Sequence, residues 1–164
     1  MRVPALALAS ILALGVAASA QQAAHAKVPA KTQATEDAPV VHDGDSPAYH
    51  TQLPLKGSLP PTLDPKQFQD PRVQAAYAMA AKVRPVLYQQ PCYCHCDKEV
   101  GHHSLLDCFA GDHASICETC LMEGVYAYRQ TEAGKSAGAI RAAIKRGDWK
   151  TVNLNDLLLG SRVY

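Results

Sequence analysis

The chain has 164 residues, 48% of them hydrophobic and 19% charged; 16 Lys and Arg against 15 Asp and Glu leave a formal charge of +1. That near balance offers no basic footprint for nucleic acid or for an anionic lipid surface. The length suits one domain with a modest core.

At the N-terminus, Met1-Arg2, an apolar stretch from Ala5 to Val16 and the small residues Ala18-Ser19-Ala20 read as a signal peptide over residues 1–20, cut before Gln21. The apolar run is too short to span a bilayer comfortably, and no second run of spanning length follows. No cysteine lies near the cut, so a lipid-modified N-terminus is not expected. Loss of Arg2 brings the mature charge to zero. The mature chain is therefore expected to be exported, periplasmic or extracellular, with no stable membrane span.

Residues 21–65 are rich in Ala, Pro, Gln, Thr and Asp and show no sustained apolar period, so they read as a disordered tether. His25, His42 and His50 fall within it and read as solvated linker histidines.

Residues 66–164 read as a small all-α domain of three to four helices with irregular Cys/His-bearing loops. Asp70-Pro71 supplies an N-cap and a first helical position. Val73, Ala76, Tyr77, Ala80 and Val83 form one apolar face, and Pro85 should end or kink the helix near Arg84. Ser115 and Glu118 stand in a capping-box relation that predicts a second helix from Ser115 to about Gln130 or Thr131, with Gly134 as its C-terminal cap. A third helix is expected from Ser136 to Arg146, with Ile140, Ala143 and Ile144 inward and a stop at Gly147. The apolar tail from Trp149 to Leu159 should cover the core, with one more helical turn. No alternating strand pattern stands out.

All six cysteines lie between Cys92 and Cys120. Cys92, Cys94 and Cys96 alternate, Cys108 follows alone, and Cys117 and Cys120 form a C-x-x-C pair, with His102, His103 and His113 interspersed. Thiolates are soft ligands and imidazoles borderline ones, so the density points to a metal centre. In an extended segment Cys92, Cys94 and Cys96 would share one face. At the second position of the helix begun by Ser115, Cys117 would have its pKa lowered by free N–H groups and the helix dipole. The expected ligands are Cys92, Cys94, Cys96, Cys108, Cys117 and Cys120, supported by His102 and His113. The ion expected is Cu(I), with Zn(II) as the alternative.

Pro91-Cys92-Tyr93-Cys94-His95-Cys96, Gly101-His102, Ser104-Leu105, Cys108-Phe109, His113 and Cys117-x-x-Cys120 resemble the bacterial PCYCGC-motif family of exported proteins, whose function is essentially uncharacterised. The resemblance implies export and this Cys/His pattern, and no reaction. His95 stands where the motif has glycine, and the lipid-anchor cysteine common in that family is missing.

A second reading is a disulfide-stapled or thiol-redox protein of the cell envelope, as an exported chain with an even cysteine count allows. The alternation of Cys92, Cys94 and Cys96 pairs poorly within itself and speaks against stapling. The βαβ context of a thioredoxin-like C-x-x-C is missing, and Leu121 rather than histidine follows Cys120, which disfavours covalent haem. No carboxylate pair, serine triad, phosphate loop or H-E-x-x-H element occurs, so the chain is not read as an enzyme. The expected role is to buffer, carry or deliver a soft ion, with another envelope protein as a possible partner.

Overall fold

Asp70 and Pro71 open the first long helix as the sequence leads one to expect: the Asp70 carboxylate accepts from the Arg72 N–H at 2.8 Å, and α1 runs Pro71–Lys82. It belongs to a computed structural model that describes residues 38–160. The signal peptide read at 1–20, residues 21–37 and residues 161–164 lie outside the described residues, as does the first of the chain's two units, 1–32.

Most of the described structure is helical. After α1 come α2 (Arg84–Leu87), α3 (Cys96–Glu99), α4 (Leu105–Ala110), α5 (His113–Ile116), α6 (Glu118–Glu132), α7 (Ala137–Arg146) and α8 (Asp156–Gly160). The three long helices α1, α6 and α7 are the three legible in the sequence. The remainder are single turns or little more, too short to leave a period. None of the described helices is long and apolar enough to cross a membrane.

Helix ends follow local chemistry. Pro85 sits in the first turn of α2, so the chain breaks at Val83 and restarts. Gly134 takes φ +74° just beyond α6, where its N–H donates to Thr131 O at 2.8 Å and Lys135 N–H donates to Gln130 O at 3.0 Å. This is the paired bonding of a left-handed helix stop. Ser136 caps α7 through the Ala139 N–H, and Gly147 ends it at φ +85°.

The core lies where α1 crosses α6. Ala76, Tyr77 and Ala80 of α1 are fully buried, and the alanines let the two helices approach closely. Tyr77 also donates its hydroxyl to Gly111 O at 2.8 Å and meets the Phe109 ring edge-on at 5.0 Å. Ile140, Ile144, Trp149, Val152, Leu154 and Leu157 close the far side, so the C-terminal segment does cover the core.

The composition-based tether extends to residue 65, yet residues 38–50 contain strands β1 (Val40–Val41) and β2 (Tyr49–His50), paired antiparallel. Ala38, Ala48, Tyr49 and His50 are buried. His50 is thus not a solvated linker histidine: its Nδ1–H donates to Ala38 O at 2.6 Å and its ring stacks on Tyr88 at 4.0 Å. The Ala48 N–H donates to Asp97 of α3, Arg141 lies over the Tyr49 ring, and Lys145 pairs with Asp43. Further along, the Leu63 N–H donates to Phe109 O at 2.9 Å. Two-residue strands leave no alternation to read, and the Pro/Gly punctuation of an irregular strap resembles that of a disordered segment.

Candidate metal centre

The cysteine segment enters the fold through a turn. His95 N–H donates to Cys92 O at 3.1 Å, and His95 itself takes φ 60°, ψ 30°, the left-handed region. Cys96 then begins α3. The extended geometry expected for Cys92 to Cys96 is therefore corrected: a chain reversal, not a shared strand face, brings the three sulfurs together. Histidine is among the non-glycine residues that tolerate this region best, so it can stand at the motif's glycine position without opening the turn.

Cys108 arrives on α4, a short helix where the sequence predicts a ligand-bearing loop. Asp107 Oδ2 accepts from the His103 N–H at 2.7 Å and the Ser104 N–H at 3.0 Å, and Leu105 N–H donates to Gln90 O at 2.9 Å. The Ser104-x-x-Asp107 spacing ahead of an apolar run was a usable helix-start signal. The Ser115–Glu118 capping box does not form. Ser115 lies inside α5 and donates to Asp112 O, while Cys117, extended at φ −121°, is the residue that precedes α6. The chain needs a second break there to turn Cys117 and His113 inward before Cys120, one turn later.

These segments bring seven donors together. The Cys92 and Cys120 thiols donate to Cys94 Sγ at 3.4 and 3.5 Å, and Cys92 and Cys120 are themselves 3.4 Å apart. Cys94 Sγ is 3.5 Å from His113 Nε2, and Cys96 Sγ is 3.4 Å from Cys108 Sγ. All six cysteines are free, with sulfurs at contact distance rather than the roughly 2.05 Å of a disulfide.

The donors fall into two sets: Cys92, Cys94, Cys96 and Cys108, and Cys94, His113, Cys117 and Cys120. Within each set every ligand atom is within 4.8 Å of the others. A tetrahedral ion with metal–sulfur bonds of about 2.3 Å spaces its ligands roughly 3.8 Å apart, so either set needs only small adjustments to close on an ion. His102 belongs to neither set. It stands beside the first, with Nδ1 3.3 Å from Cys108 Sγ, and edge-on to His113 at 5.2 Å.

Hydrogen bonding among the sulfurs dominates the electrostatics of the cluster, and burial those of Cys117 and Glu123. Cys94 accepts from its neighbours, so hydrogen bonding to Cys108, then to Cys120 and Cys92, holds it as thiolate well below the ordinary thiol range. Cys108, fully buried, is pushed up by its bonding to Cys120, Cys92 and Cys94. Cys117 is also raised, chiefly by desolvation. The lowering expected from a helix start is overturned because Cys117 stands before α6, not in its first turn, and shares its surroundings with other sulfurs.

Glu123 is a residue the sequence reading missed. It is 0% exposed, and both carboxyl oxygens accept from the Tyr93 N–H, at 3.0 and 3.2 Å. Burial pushes its pKa up to about 8, against the opposing pull of that N–H. It pins the Cys92–Cys94 turn to α6. The available signal was its place one turn beyond Cys120, on the same helix face.

No curated protein and no solved structure matches the chain. A family model described as "Protein of unknown function with PCYCGC motif" matches residues 11–150, most of the sequence and all of the sulfur cluster. The chain belongs to the PCYCGC family.

Proposed function

We propose that this is an exported, non-catalytic metal-binding protein that holds Cu(I) in its Cys/His cluster, for buffering, transport or delivery to another envelope protein. One observation carries the reading: seven soft or borderline donors, all six cysteines free among them, gather in two overlapping sets whose ligand atoms lie within 4.8 Å of one another, four of the seven buried. Bringing that many thiols together without an ion leaves them repelling or competing for protons, whereas an ion satisfies them at once. Thiolate richness favours Cu(I). Zn(II) is the alternative, because Cys₄ and Cys₃His are both closed tetrahedral zinc sets. The export signal read at residues 1–20 supports a role outside the cytoplasm.

The test is to purify the full chain anaerobically from the compartment in which it accumulates and determine its metals by elemental analysis. Stoichiometric copper supports the proposal and stoichiometric zinc transfers it to the alternative. A metal-free protein carrying three stable disulfides would favour the stapled reading instead.

A further inference from the structure

We infer that the centre holds two ions bridged by the Cys94 thiolate, an inner one that is retained and an outer one that exchanges. This rests on the metal-binding reading and specifies how that site is loaded and unloaded.

Cys94 is the one residue common to both donor sets. A single four-coordinate ion would use one set and strand three donors of the other beside it. Two ions sharing Cys94 employ all seven donors. Thiolate sulfur has the lone pairs to bridge two soft ions, and Cys94 is the sulfur toward which both the Cys92 and Cys120 thiols point their protons. With two bonds of about 2.3 Å at one sulfur, the ions would lie no more than roughly 4.6 Å apart.

The two sets differ in access. In the inner set Cys92, Cys96 and Cys108 are 3%, 2% and 0% exposed. In the outer set Cys94, His113 and Cys117 are half-buried and only Cys120 is fully buried. The outer set also contains the imidazole, a weaker partner for a soft ion than thiolate. An incoming carrier or chelator therefore reaches the outer ion first, while the inner ion is held by three buried thiols besides Cys94. Shared ligation makes Cys94 a relay, since its sulfur stays bonded to one ion as the other is removed.

The experiment titrates the reduced, metal-free full chain with ¹¹³Cd(II), a spectroscopic probe for thiolate sites, and reads its NMR spectrum. Two equivalents bound, with two resonances split by coupling through a common sulfur, is the expected result. Cys117→Ser should then leave one equivalent on the inner set, and Cys94→Ala should abolish the coupling. Cys117 is half-exposed, so that variant is the one expected to fold; circular dichroism verifies each variant. A chelator added to the two-ion form should remove the first ion at least ten-fold faster than the second. One equivalent only, or two uncoupled resonances, overturns the bridged pair and leaves the metal-binding reading standing. Loss of both ions at one rate overturns the exchange order. No cadmium bound overturns both readings together.

Discussion

The Phe109 ring occupies the space that a side chain at position 124 would need: a Cβ on Gly124 would lie 2.5 Å from Phe109 Cζ and 2.8 Å from Cε2. Gly124 sits inside α6, and Phe109 follows Cys108 on α4. This close approach is what seats Cys108 against the helix bearing Cys120. In an ordinary helix interior Gly→Ala gains about 0.5–1 kcal/mol. Here the ring is fully buried and packed edge-on against Tyr77, and overpacking of this kind costs roughly 1–3 kcal/mol. Gly124→Ala should therefore destabilise the metal-free chain by about 1–2 kcal/mol in denaturant unfolding. A stabilised variant would show that the ring moves freely.

Glu123 gives the chain a pH dependence with a definite sign. Its carboxyl titrates near 4.5 when exposed and is pushed up to about 8 by burial in the fold. The folded state therefore keeps a proton that the unfolded state has lost. The stabilisation is complete below the lower value and fades as pH rises toward the upper one, by up to about 1.4 kcal/mol per pH unit. Glu123→Gln keeps an oxygen for the Tyr93 N–H and removes the titration. Unfolding curves of the metal-free protein at several pH values should slope downward for the native sequence and be flatter for the variant. Equal slopes would contradict this assignment.

His95 should be replaceable by glycine and not by a β-branched residue. Its φ of 60° is the lone positive value at a non-glycine position among the described residues, and its buried Nδ1 has no hydrogen-bond partner. His95→Gly relieves the left-handed strain while loosening the unfolded chain, so stability should stay within about 1 kcal/mol. His95→Val should lose roughly 1–3 kcal/mol. Thermal unfolding of both variants checks the pair, and metal content should survive His95→Gly because His95 is in neither donor set.

Cys117→Ala separates the metal reading from the stapled one. If Cys117 is a half-exposed ligand, its loss should lower metal content yet change the metal-free stability by less than about 1 kcal/mol. If it were one end of a native disulfide, stability should fall by roughly 2–5 kcal/mol and a partner thiol should become alkylatable. Elemental analysis, thiol counting and unfolding on the same preparation distinguish the two.

Much of the helical frame was open to reading because its signals are local. Asp70-Pro71, Ser136, Gly134 and Gly147 act on backbone groups within a turn of themselves, and the stripes of α1 and α7 repeat at helical spacing. The misplaced start of α6 shows the limit of such signals. Ser115 and Glu118 have capping-box spacing, but inward placement of His113 and Cys117 requires a break between them. The strap at residues 38–50 was hidden for a related reason: its order comes from docking on Asp97, Tyr88 and Arg141, not from any period of its own.

For the site, the amino-acid order alone singled out the candidate ligands: six thiols with His102 and His113, confined to one stretch, with the chemistry of soft and borderline ligands. Only the tertiary structure decided their grouping. Contacts between sulfurs borne on α3, α4 and α6 depend on how those helices pack, through Phe109, Gly124 and Glu123. Residue spacing cannot encode that, and so it could not reveal that Cys94 stands in both sets while His102 stands beside one.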